Sequence, residues 1–170
     1  MSKTYTLGEV AVALGLPRPT LLSWAQRGYL RFLDDREPGV AREFSRDDVA
    51  YTAAFAVLAR GGSSASDAAK IMECATGSQR SYWRDAIRKA ISGAEVNVLA
   101  KRYAYKGVEE IEAELHCGSD LEGRRRALAD GTREGAQIDA PNVDLTEAPP
   151  DVVVIYEIGA AIAKAIRHLS

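Results

Sequence analysis

Apolar positions over the first 75 residues recur at helical spacing and are punctuated by short breaker-rich stretches. Val10, Ala13 and Leu14 share one face of a helix and leave Glu9 outward. Gly15 supplies the positive φ that ends such a helix, and Leu16 caps the turn from inside. Pro17 and Pro19 suit the first turn of a second helix, where a missing N–H costs nothing. In that helix Leu21 and Trp24, with Leu22 nearby, face the first helix, while Arg18, Thr20, Ser23 and Arg27 are left for the outer side. Gly28 ends it, and residues 29–32 alternate as a strand does. A polar, breaker-rich loop at 34–39 leads to a second short strand ending at Phe44, so a charged hairpin projects beside the second helix as a wing, with Arg36 and Arg42 available for phosphates. Ser45 caps a third helix whose first turn holds Asp47 and Asp48, and Val49, Ala53, Ala56 and Val57 form its inner stripe. A fourth helix opens on Ser64 to Asp67 and turns Ala68, Ile71, Met72 and Ala75 inward.

The pattern weakens after Gly77-Ser78, which marks a boundary between an amino-terminal domain at 1–77 and a second unit at 78–170. A short amphipathic helix at 82–91 carries Trp83, Ile87 and Ile91 on one face; Arg84, Arg88 and Lys89 opposite them read as a solvated surface before a contact with DNA flanks. Residues 95–103 alternate as a strand. Residues 108–117 look helical, with Ile111 and Leu115 inward and the glutamates outward. A further short helix or turn at 121–129 contains the triplet Arg124-Arg-Arg126, a weak phosphate signal, and 131–150 reads as a long loop. Residues 152–156 are β-branched and apolar, which suits a buried strand, one continuous helix from Val152 being the other reading. Ile158, Ile162, Ile166 and Leu169 then make a terminal helical stripe. A strand pair of 95–103 with 152–156 needs helices or a second copy to cover it. This half is expected to serve dimerisation or partner binding; Tyr82, Trp83, Tyr103 and Tyr105 read as core packing before an effector pocket.

Composition narrows the function. A 46% hydrophobic chain of 170 residues can build a real core, and a net charge of −2 gives no overall pull toward nucleic acid. Any attraction to DNA is therefore local: residues 1–60 hold 8 Lys/Arg against 7 Asp/Glu, whereas 127–157 hold one against seven. Cys74 and Cys117 lie far apart and His116-Cys117 are adjacent, so neither a disulfide scaffold nor a metal site is expected, and the protein is expected in the cytoplasm without a membrane segment. No phosphate-cradling glycine loop, nucleophile elbow or metal-binding His-Glu motif occurs. Neither an enzyme nor a cofactor is expected.

The ordered motifs resemble those of the mercury-resistance-regulator (MerR) family and its excisionase-like relatives. They are Thr6-Leu-Gly-Glu-Val-Ala11, Thr20-Leu-Leu-Ser-Trp-Ala-Gln-Arg-Gly-Tyr-Leu30, Arg42-Glu-Phe-Ser-Arg-Asp-Asp-Val49 and Gly62-Ser-Ser-Ala-Ser-Asp-Ala-Ala69. Leu22 stands where many members carry a backbone-contacting arginine, Glu43 replaces the second arginine of the wing exit, and the usual long dimer helix is missing. The resemblance implies a winged helix-turn-helix for the amino-terminal domain; with the elements read beyond it, the expected protein is mainly α, that domain being followed by a small α+β carboxy-terminal domain. The resemblance also implies double-stranded DNA as partner and a homodimer. Arg18, Thr20 and Ser23 would meet base edges, and Arg27, Arg36 and Arg42 the phosphates. The expected function is sequence-specific transcription regulation. The alternatives are an excisionase-like bending factor or a winged protein-interaction module without DNA binding.

Overall fold

Local capping chemistry starts the fold. The computed structural model describes residues 3–30, 43–76, 80–105, 108–121 and 152–169. Strand β1 (Tyr5–Thr6) runs into helix α1 (Leu7–Leu14), whose N-cap is Thr6. The Thr6 hydroxyl accepts from the Glu9 N–H at 3.3 Å, while the Glu9 carboxylate accepts from the Thr6 N–H at 2.7 Å. Two of the helix's orphan donors are thereby satisfied reciprocally. Helix α2 (Arg18–Gln26) follows, then strand β2 (Glu43–Phe44), which pairs antiparallel with β1 through Tyr5 and Phe44. Ser45 and Asp48 repeat the reciprocal cap at the start of helix α3 (Arg46–Arg60).

Helix α3 is the centre of the molecule. Residues 48–56 and Leu58 are buried, a helix apolar almost all round, and Ala50, Ala53, Ala54 and Ala56 let its neighbours come close. Helix α4 (Ala65–Thr76) crosses it with Ala68, Ile71 and Met72 buried, as its spacing predicts. Helix α5 (Arg80–Ile91) packs Trp83 on Tyr51 of α3, ring centroids 5.6 Å apart at 76°. Ile91, expected inward, is exposed because Ala86, Ile87 and Ala90 complete the buried face instead.

The second half adds an antiparallel sheet of order β4-β3-β5, with β3 at Val96–Tyr105, β4 at Val108–Cys117 and β5 at Val152–Glu157. Val98 lies between Leu115 and Tyr156, and Ala100 between Ala113 and Val154. The continuous helix from Val152 is thus excluded, and the pairing of 95–103 with 152–156 is present. Residues 108–117 are a strand, not a helix. Ile111 and Leu115 are four apart, which suits either period, but Ala113 and Cys117 complete an alternation against Glu112, Glu114 and His116. The side chains at 111, 113, 115 and 117 all pack against the core beside α4.

Helix α6 (Gly159–Leu169) closes the structure against α3, α5 and α1, so a single core joins Val10 and Leu21 to Tyr156, Ile162 and Ile166. A polar link reinforces this junction: Ser63 Oγ lies 2.6 Å from Tyr156 Oη, and Arg102 Nη2 donates to Ser63 Oγ at 3.3 Å and to Asp67 Oδ2 at 3.4 Å. The expected first hairpin strand is not seen at Tyr29 or Leu30. The loop at 34–39, the triplet at 124–126 and the loop at 131–150 lie outside the described residues. No helix among the described residues is long and apolar enough to cross a membrane.

Candidate nucleic-acid interface

The turn between α1 and α2 is fixed by backbone geometry. Gly15 sits at φ 58° and ψ 41°; its N–H donates to Val12 O at 3.1 Å and that of Leu16 to Ala11 O at 2.9 Å. This double bond pattern is the Schellman motif, which requires a left-handed residue where the helix stops. Arg60, from the end of α3, donates to Gly15 O at 2.7 Å and so holds the turn on the central helix. The far end of α2 repeats the device: Gly28 has φ 73°, and the N–H groups of Gly28 and Tyr29 donate to Ala25 O and Trp24 O.

Between these stops, α2 is seated by Leu21 and Ala25, both buried, and by Trp24, whose ring meets Phe55 of α3 edge-on at 4.9 Å. Helical geometry then decides what remains outside. Pro19, Ser23 and Gln26 form the middle of the outward face. Arg18 and Leu22 lie on one flank and Thr20 and Arg27 on the other. Arg18, Leu22, Gln26 and Arg27 are exposed, and Thr20 and Ser23 are half-buried. Leu22 is 42% exposed, which corrects its expected place beside the first helix: Ala25 supplies the inner contact instead. Gln26 joins the outward set although it was not among the expected site residues; its helical position opposite Leu21 is the signal that finds it. Arg36 and Arg42 fall outside the described residues.

The electrostatics of the helix starts differ in a way that matters for anions. The first turns of α1 and α3 carry carboxylates, Glu9 on one and Asp47 and Asp48 on the other. The Glu9 carboxyl is held below its ordinary range, first by the Thr6 N–H bond and then by the Thr6 hydroxyl. Helix α2 has no carboxylate anywhere along its length; its N-cap is Pro17, with no side-chain hydrogen bond, and Arg18 stands at its first position. No carboxylate of the helix itself therefore opposes the positive end of its dipole, and a guanidinium stands beside it.

The basic face of α5 is a different case. Arg84 meets Asp47 of α3 at 3.2 Å, and Lys89 and Arg88 meet Asp85 at 2.8 and 3.4 Å. Hydrogen bonding to Lys89 lowers the Asp85 pKa and raises that of Lys89, so these charges are matched within the protein. Trp83 is fully buried in the core, as expected of an aromatic that packs and does not line a pocket; the side chains of Tyr82, Tyr103 and Tyr105 lie outside the described residues. Cys117, half-buried, has its thiol pKa raised by burial.

Among known families, residues 5–74 match the model of the MerR HTH family regulatory protein. The matched segment runs from β1 to near the end of α4 and so contains the whole two-helix unit and the central helix that carries it. No curated protein matches the chain.

Proposed function

From an amino-terminal helix-turn-helix of the MerR type, we propose that this chain is a sequence-specific, DNA-binding transcription regulator. Helix α2 enters the major groove, with Arg18, Thr20 and Ser23 at base edges and Arg27 on the phosphate backbone. Arg36 and Arg42, assigned from the sequence alone, contact the backbone from a wing beside it. The observation that carries the reading is the carboxylate-free α2, clamped at both ends and offering Arg18 and Arg27 to solvent. The contacts that hold the helix are on its inner side, and the helix itself carries no carboxylate that would repel a phosphate.

The protein acts in the cytoplasm as a homodimer joined through residues 78–170. Among the described residues the sheet runs from β4 to β5, and an outer strand of this kind is a surface on which a second copy can pair. Two copies answer an energetic need. Each phosphate neutralised contributes about 0.9 to the slope of log affinity against log salt, so the few cations of one copy give weak binding at physiological salt.

The test is selection of bound duplexes from a random pool, then titration of the winner over a salt series, with the mass of the complex measured in parallel. Arg18→Ala is expected to weaken the selected site most. Arg42→Ala is expected to weaken all sequences alike and to flatten the salt slope by about one contact. No retained duplex even at low salt would refute the reading and favour the interaction module.

A further inference from the structure

The outward face of α2 contains a residue that solvent does not favour and that the described residues leave open. Leu22 is 42% exposed, one of the large hydrophobic side chains, with Val12 and Ile91, that the described structure leaves open to water. It lies one turn beyond Arg18, on the same flank, and one turn before the exposed Gln26. An exposed leucine alone is unremarkable. One set midway along a groove-facing helix, between a guanidinium and a carboxamide and with no carboxylate on the element, has a narrow choice of partners.

On the floor of the major groove, the thymine 5-methyl is the apolar group that distinguishes one base pair from the others. We propose that Leu22 is a specificity-determining residue that packs on a thymine methyl and thereby selects an A·T pair opposite the middle of α2. The inference rests on the DNA-binding reading above and deepens it. A leucine cannot form a hydrogen bond to a base or a phosphate, so its contribution is discrimination by shape and desolvation. Arg18, beside it, meets a base edge through hydrogen bonds. An oligomer or protein contact through the same side chain is the competing use; a cation-bearing, carboxylate-free helix surface favours DNA over a protein partner.

The experiment removes one methyl at a time. In the duplex selected by the wild-type protein, each thymine is replaced in turn by deoxyuridine, which deletes only the 5-methyl group, and affinities are measured for wild type and Leu22→Ala. For wild type, one position per half-site is expected to lose about threefold to tenfold in affinity. At that position Leu22→Ala is expected to be insensitive to the change, while the other thymines behave alike in both proteins. If both proteins bind the duplex but no thymine shows this dependence on residue 22, the contact is refuted and the DNA-binding reading stands. Wild type that retains no duplex refutes the underlying reading, and the leucine contact with it. Leu22 lies at the surface, so unchanged circular dichroism of Leu22→Ala serves as the folding control.

Discussion

Thr6 and Ser45 perform the same task in different surroundings. Each hydroxyl accepts from an N–H three residues on, and each is answered by a carboxylate that reaches back. Glu9 is exposed, however, whereas Asp48 is buried at 1% exposure, so loss of the Ser45 hydroxyl strips a partner from a carboxylate that water cannot reach. Ser45→Ala is expected to fall near the top of the range of about 0.5–2 kcal/mol for a lost cap, and Thr6→Ala near the bottom. Urea denaturation of the two variants measures the difference; equal losses would show that burial is not what separates them. Glu9 also sets a pH dependence. Its folded pKa lies below the ordinary 4.5, so its contribution is present above that value and is lost as pH falls through the folded one. The stability gap between wild type and Glu9→Gln is therefore expected to narrow as pH drops below 4.5. A constant gap across an acid titration would disprove the coupling.

Elements in this protein are placed by close approach as much as by side-chain filling. The start of α6 lies so near β3 that a Cβ on Gly159 would stand 3.0 Å from the Val96 backbone nitrogen and 3.3 Å from Ala94 O. Backbone atoms cannot step aside as a side-chain tip can. Gly159→Ala is expected to cost about 1–3 kcal/mol, the range for overpacking a filled site. Gly8, inside α1, is the control: a Cβ there meets only Thr6 Oγ1 at 3.8 Å. Gly8→Ala is expected to be neutral or to stabilise by up to about 1 kcal/mol, since alanine loses less backbone freedom on entering a helix. Thermal melts should show a lower midpoint for Gly159→Ala and an unchanged or higher one for Gly8→Ala. A shift of the same sign would mean that crowding is not the reason for the glycine at 159.

At the scale of the whole molecule, the central helix is shared. Its faces are covered by α1 and α4 from the first 77 residues and by α5 and α6 from the remainder, and the Ser63–Tyr156–Arg102–Asp67 link crosses between the two. Removing everything after residue 77 would expose the side of α3 that meets Ile162 and Ile166, a large apolar surface with no replacement. The full chain is expected to melt in one cooperative transition, and a 1–77 fragment to lack a cooperative melt of its own. Circular dichroism of both settles the matter; a fragment that melts cooperatively would give the amino-terminal unit an independent core.

Much of the amino-terminal half was legible because its signals are local. Gly15 and Gly28, the caps at Thr6 and Ser45, and the apolar spacings of α1, α3 and α4 act within a few residues of where they occur, so the chain itself determined the two-helix unit and its exposed arginines. The strand at 152–156 followed by a helix was legible for the same reason. The tertiary structure alone decided three things. It settled β4 as a strand: the i, i+4 spacing of Ile111 and Leu115 fits both periods, and pairing with β3 realises the alternation that runs through Ala113 and Cys117. It turned Leu22 outward, because Ala25 and Trp24 already fill the space against α1 and α3. It joined the halves into one core, because which surface α6 covers depends on contacts over 100 residues apart, such as Lys3 Nζ to Leu169 O at 2.8 Å with a sequence separation of 166, and no local pattern encodes such a meeting.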